Sequence, residues 1–185
     1  MNDFAAIKTV SRALRELLKQ HITDSPLTEL NGVPIDLRSP KELRDATKPP
    51  SPPTGVCLWL YRVARNADAL NLPPRDGQWP AAVVDLHYLV APVTEDTLAE
   101  QALLGRVLQV FGDHERLRPA ETELSVTMET LGLEELTRVW TALQEPYQLS
   151  ASFLVRMVEI GPGHLTAVAP PVHERINRYE QIGTP

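Results

Sequence analysis

The chain has 185 residues, 43% of them hydrophobic and 23% charged, with a formal net charge of −6. That balance is ordinary for a folded globular protein, and the length fits one domain with an added arm. The acidity, with no basic run to offset it, excludes a protein whose affinity comes from contacts to nucleic-acid phosphates.

Residues 3–21 predict a helix capped by Asn2 or Asp3, with Phe4, Ile7, Val10, Leu14, Leu17 and Leu18 as its apolar stripe. Residues 33–37 contain Pro34, which lacks an amide donor, so they form at best a short edge strand. Ser39 and Pro40 have the chemistry of a helix cap and first helical position. The run 48–53 carries four prolines. It is expected to be an extended, stiff connector that delivers the chain to the sheet.

Residues 56–66 and 82–90 are apolar at nearly every position rather than at alternate ones. A strand with water on one face alternates, and a strand covered on both does not. The two are therefore expected to pair at the centre of a sheet with something packed on each side. A polar connection, 67–80, joins them; it is long for a hairpin loop, and such loops carry contacts. Residues 97–111 predict a helix with Leu104, Val107, Leu108 and Phe111 inward, and Leu98 and Ala102 upstream. Residues 121–130 alternate as a half-exposed strand with Leu124, Val126 and Met128 on one face. Residues 133–143 predict a helix with Leu136, Val139, Trp140 and Leu143 inward. Residues 149–160 predict a last strand with Leu149, Ala151, Phe153, Val155 and Met157 on one face. From Gly161 the regular pattern stops. The expectation is an α+β (mixed α/β) domain over 1–160, with a central sheet of four to five strands flanked by helices, and a C-terminal arm over 161–185.

The chemistry-bearing residues are few. The central strands carry a polar set, Arg62, Arg65, Asn66, Asp85 and His87. Asp85 and His87 are two apart in a strand and share a face, as two members of a hydrolytic triad would. No Gly-x-Ser-x-Gly elbow supplies a nucleophile. The alternative is a structural cluster in which Asp85 pairs with Arg62 or Arg65. The five histidines show no metal-ligand spacing, and no phosphate loop or dinucleotide fingerprint occurs; no cofactor is expected. Cys57 is the only cysteine. It cannot form an internal disulfide, and inside an apolar strand it reads as a small hydrophobe made in a reducing compartment. The opening residues do not resemble a signal peptide, and no apolar run reaches membrane-spanning length, so cytoplasmic synthesis without a membrane partner is expected.

Several blocks resemble a known family. They are Asp3-Phe4-Ala5-Ala6-Ile7 with Val10-Ser11-Arg12-Ala13-Leu14-Arg15; Leu58-Trp59-Leu60-Tyr61-Arg62-Val63 with Arg65, Asn66 and Asn71; and Asp85-Leu86-His87-Tyr88-Leu89-Val90. Further on come Leu103-Leu104-Gly105 with Gln109-Val110, and Trp140 with Pro146-Tyr147-Gln148-Leu149-Ser150 and Val155-Arg156. Together, in order over residues 3–160, they resemble the tube-terminator, or cap, proteins of extracellular contractile injection systems, related to tail terminators of contractile phages. The resemblance implies a terminator-like α/β fold and a structural, non-enzymatic role. It implies a ring, six copies in the family, that closes the inner tube and engages the last sheath layer of a phage-tail-like particle. Self, inner-tube protein and sheath protein are the implied partners. The 67–80 connection and the C-terminal arm are the expected contact elements, with Asp76, Trp79, Arg175 and Tyr179 as candidate interface residues. Two other functions were open to the residues alone: a small hydrolase using Asp85 and His87, and a monomeric adaptor using the proline-rich connector.

Overall fold

The computed structural model describes residues 4–46, 54–71, 82–119 and 123–161, with backbone alone for residues 70 and 71. The first helix, α1, is Ala6–Leu18; Ala6, Val10, Leu14 and Leu18 recur at every fourth position and are buried. A π-helical turn, Lys19–Thr23, carries the same stripe one step further to buried Ile22. Asn2 and Asp3 lie outside the described residues; Ala5 holds the cap position, and among the described residues no side chain caps the helix. Phe4 does not join the stripe: it sits in the turn ahead of the helix and is 96% exposed.

The edge strand β1 is only Ile35–Asp36. Helix α2, Pro40–Ala46, follows with the expected start. The Ser39 amide and hydroxyl both donate to Glu42 Oε2, at 2.9 and 2.8 Å, and the Glu42 amide donates back to Ser39 Oγ at 3.3 Å. This reciprocal cap satisfies donors that a helix start otherwise leaves open. Strand β2 (Gly55–Arg65) and strand β3 (Ala82–Val93) pair antiparallel. Helix α3 is Thr97–Asp113, with the Asp96 carboxylate accepting from the Leu98 amide. Strands β4 (Arg116–Leu117) and β5 (Leu124–Glu129), helix α4 (Leu133–Ala142) and strand β6 (Ala151–Ile160) complete the order.

Among the described residues the sheet has six strands, in the order β1-β2-β3-β6-β5-β4, one more than the upper expectation. The addition is β4, two residues that follow α3 after a single turn and carry no strand pattern of their own. β1 runs parallel to β2, and every other neighbouring pair is antiparallel.

The two faces of the sheet bury different elements. On one face, α1 and α3 cover Val56, Leu58, Leu86, Tyr88, Val90, Phe153 and Val155. Phe111 of α3 meets Phe153 edge-on, with ring centroids 4.7 Å apart, an arrangement the ring quadrupoles favour. On the other face, α4 brings Trp140 and Leu143 onto Leu89 and Ala91, while Leu43 of α2 meets Cys57 and Val93. β3 is buried along most of its length, as expected of a two-sided strand. β2 is not. It is fully buried from Gly55 to Leu58, but Arg62, Val63 and Arg65 are exposed, because no described helix reaches that end. Leu98 and Leu108 of α3 also turn outward, at 73% and 37% exposure, and Leu103 and Val110 take the inner positions instead. Met128 and Leu149, at 60% and 38%, likewise lie outside the core.

Candidate functional site

The polar residues of the central strands fall into two clusters rather than one. The first is built around an irregularity. Val84 pairs with Val158 and Leu86 with Val155, so Asp85 alone opposes Arg156 and Met157. This β-bulge puts Met157 at φ +61°, a left-handed conformation that costs a non-glycine residue about 1–2 kcal/mol. The amide it diverts from the ladder is taken by a side chain: Met157 N–H donates to Asp85 Oδ1 at 3.1 Å. Asn66, 1% exposed, donates through Nδ2 to both Asp85 oxygens, at 2.8 and 3.0 Å. Asn66 Oδ1 accepts the Ala69 amide at 2.9 Å, and its own amide donates to Val83 O at 2.9 Å. One buried asparagine thus ties the end of β2, the 3₁₀ turn Asp68–Asn71 and the start of β3 to the bulge. Arg156, on the bulge, forms an ion pair with Asp68 of that turn.

The bulge also corrects the expected register of β6. Past it the alternation flips, so Val158 enters the core where Met157 was expected. The expected pairing of Asp85 with Arg62 or Arg65 does not occur. Both arginines are exposed and, among the described residues, form no ion pair.

The second cluster crosses four strands. Tyr61 Oη of β2 and Ser152 Oγ of β6 share a hydrogen bond at 3.1 Å, and Ser152 donates to Glu129 Oε2 of β5 at 2.8 Å. His87 Nδ1 of β3 lies 3.0 and 3.1 Å from the two Glu129 oxygens. Ser152 and His87 are 2% and 7% exposed. Burial is the main cause that raises the Tyr61 hydroxyl above its ordinary pKa, opposed by its bond to Ser152. By the alternation of 121–130, Glu129 falls opposite Leu124, Val126 and Met128, on the side expected to face solvent, and neither Tyr61 nor Ser152 stands out as a polar partner from the sequence. The available signal was their shared face: each lies on the side of the sheet that α4 covers only in part.

This geometry bears on catalysis. His87 turns to Glu129 and Asp85 turns to Asn66 and Met157, so the two do not form a dyad. Ser152, Glu129 and His87 are the three residue types of a hydrolytic triad in the wrong order. The serine hydroxyl donates to the carboxylate, whereas activation needs the imidazole between the two. Cys57 is fully buried, and burial pushes its thiol up to about 12, the reverse of a reactive cysteine. Among the described residues no group of three or more histidine, cysteine or acidic side chains could hold a metal ion, and no helix is long and apolar enough to cross a membrane. The proline-rich connector and the candidate interface residues Asp76, Trp79, Arg175 and Tyr179 lie outside the described residues.

Comparison with known proteins points in one direction. The family model described as the Pvc16 N-terminal domain matches residues 9–174. Among solved structures, the fold is similar to a sheath/tube terminator of an extracellular contractile injection system, PVC, in its extended state. The TM-score is 0.67 at 16% identity, over 96% of this chain and 64% of that one. It is also similar to the tube-terminating cap of the anti-feeding prophage. Here the TM-score is 0.61 at 14% identity, over 92% of this chain and 60% of that one. The chain spans less than two thirds of either structure. No curated protein matches it by sequence.

Proposed function

Because the chain belongs to the Pvc16 N-terminal domain family, we propose that it is a structural cap that ends the inner tube of a phage-tail-like contractile injection system. The family match over residues 9–174 carries this reading, and the names of the two similar structures, a tube terminator and a tube-terminating cap, support it. In this role the protein is made in the cytoplasm and assembles, as a ring of six, on the last layer of the tube, where it also engages the last sheath layer. Residues 161–185 act as a contact arm. The 67–80 connection, with Asp76 and Trp79, and the arm, with Arg175 and Tyr179, supply contacts to neighbours. A ring subunit needs a stiff body, and the two partly buried polar clusters cross-tie four strands of one sheet.

The test is to assemble particles with and without this protein and image their ends. With it, tubes of uniform length ending in a ring are expected; without it, tubes of uncontrolled length with bare ends. Identical length distributions and identical ends in the two preparations would overturn the reading.

A further inference from the structure

The sheet ends in two unlike edges. On β2, Val56 N–H reaches Pro34 O across the outer side, at 2.9 Å, so the backbone groups of Leu58 and Leu60 also point outward. The bulge between Leu60 and Arg62 reverses this alternation. Asn66 N–H then bonds Val83 O on the inner side, which leaves Val63 and Arg65 facing out. β1 covers only Val56 and Cys57, and among the described residues no strand pairs with the rest of that edge. The open stretch carries Val63, 48% exposed, and Arg65, exposed and without an ion pair among the described residues.

The opposite edge is its complement. Val126 N–H donates outward to Glu115 O at 2.8 Å. Met128, two residues on, therefore presents its backbone on the same side, past the end of β4. Beside it runs a groove between α3 and β5, walled by Leu108, Phe111, Val126 and Met128, with Glu115 as its charged lining residue. Glu115 is exposed and, among the described residues, forms no side-chain ion pair. Val63 and Arg65 register against Leu86 and Val84, whose side chains belong to the core beneath α1 and α3. They therefore lie on the same face of the sheet as the groove.

We propose that the β2 edge of one copy docks on the β5 edge of the next, continuing the sheet across the joint. Val63 seats in the apolar groove and Arg65 meets Glu115. This rests on the ring reading above and specifies the subunit contact within it. Open strand edges are templates for further pairing. Pairing β2 with β2 across a two-fold axis would instead bring the exposed Arg65 side chains of two copies together, which like-charge repulsion disfavours. Unlike edges at opposite ends of one sheet give a head-to-tail contact that repeats and closes by rotation.

The experiment uses the full chain with preassembled inner tube. Val63→Cys and Leu108→Cys, both at exposed positions, are made singly and together, and folding is checked by circular dichroism. After mild oxidation, a mixture of the two single variants is expected to yield a dimer containing one of each, and the double variant a ladder of linked copies. A Val63→Cys variant that forms dimers by itself would overturn the head-to-tail contact. Independently, Arg65→Glu is expected to lower ring occupancy of tube ends by about tenfold, and Glu115→Arg in the same chain to restore it. Rings that form normally with no Val63–Leu108 link and no effect of Arg65→Glu would overturn the edge contact while leaving the cap reading intact. A failure of the unsubstituted protein to form rings on tube would overturn both.

Discussion

Asp85 of β3 accepts the backbone N–H of Met157 of β6 at 3.1 Å, so a side chain from one strand stands in for the carbonyl that the bulge takes away from its neighbour. Two destabilising features, a left-handed methionine and a half-buried carboxylate, are each satisfied by the other. Asn66 completes the arrangement by occupying both carboxylate oxygens.

Asp85→Ala is expected to cost about 2–4 kcal/mol, since it strands the Met157 amide and the buried Asn66 side chain together. Met157→Val is expected to cost about 2 kcal/mol or more, because a β-branched residue is poorly accommodated at positive φ. Met157→Gly relieves the strain and is expected to cost less than Met157→Val. Urea unfolding of the three variants checks the order; equal losses for Val and Gly would mean that strain at Met157 is not what the bulge stores.

Trp140, 1% exposed, donates from Nε1 to Ser150 Oγ at 3.1 Å and packs with Leu89, Ala91 and Leu143. It is the one fully buried residue of that helix, with Leu136 and Val139 packed beside it. Trp140→Ala is expected to cost about 3–5 kcal/mol. Hydrogen exchange is expected to rise first in α4 and least in α1, on the opposite face.

Tyr88 is fully buried against α1, where its hydroxyl meets Ser11 Oγ at 2.7 Å. Burial raises its pKa from 10.0 to about 12, so the folded state resists losing a proton that the unfolded chain releases more easily. The resulting stability is fully present below pH 10 and is lost as pH rises from 10 to about 12. Cys57, raised by burial from 9.0 to about 12, adds a loss that begins lower, near pH 9. Tyr88→Phe is expected to cost about 1 kcal/mol at neutral pH through the missing hydrogen bond and to flatten the alkaline decline above pH 10. Denaturant midpoints measured from pH 8 to 11.5 test both parts.

Ser39, 5% exposed, supplies one half of the cap of α2. Ser39→Ala is expected to cost about 1 kcal/mol and to fray a helix of only seven residues. Leu43 would then pack less firmly on Cys57. Maleimide labelling of the native Cys57 thiol, slow in the unsubstituted protein, is expected to accelerate in this variant.

The parts of the fold carried by local pattern were legible in the sequence. The α1 stripe, the capping chemistry of Ser39 and Pro40, and the antiparallel pair of β2 and β3 follow from spacing and residue type. The register of β6 was not, because neither Arg156 nor Met157 announces a bulge; the residue that stabilises it, Asp85, lies in another strand. The Asp85 partner was misjudged for a similar reason. Charge type favoured an arginine, whereas Arg65 lies on the opposite face of the sheet from Asp85, Arg62 is exposed, and Asn66 is within reach. Glu129 alternates as a solvent-facing residue would. Only the placement of β5 beside β6, and of β6 beside β3, brings it to His87.

The chain of bonds from Tyr61 through Ser152 and Glu129 to His87 has a consequence for how the molecule folds. Its four members come from β2, β3, β5 and β6, so it closes only when strands distant in the sequence are all in register. A slip by one residue in any of them would turn a buried polar group away from its partners. Collapse onto α1 and α3 tolerates such a slip more readily, because an apolar surface accepts neighbouring hydrophobes. Register selection among these strands is therefore expected to slow folding, a cost set by the long sequence separations that this topology must bridge.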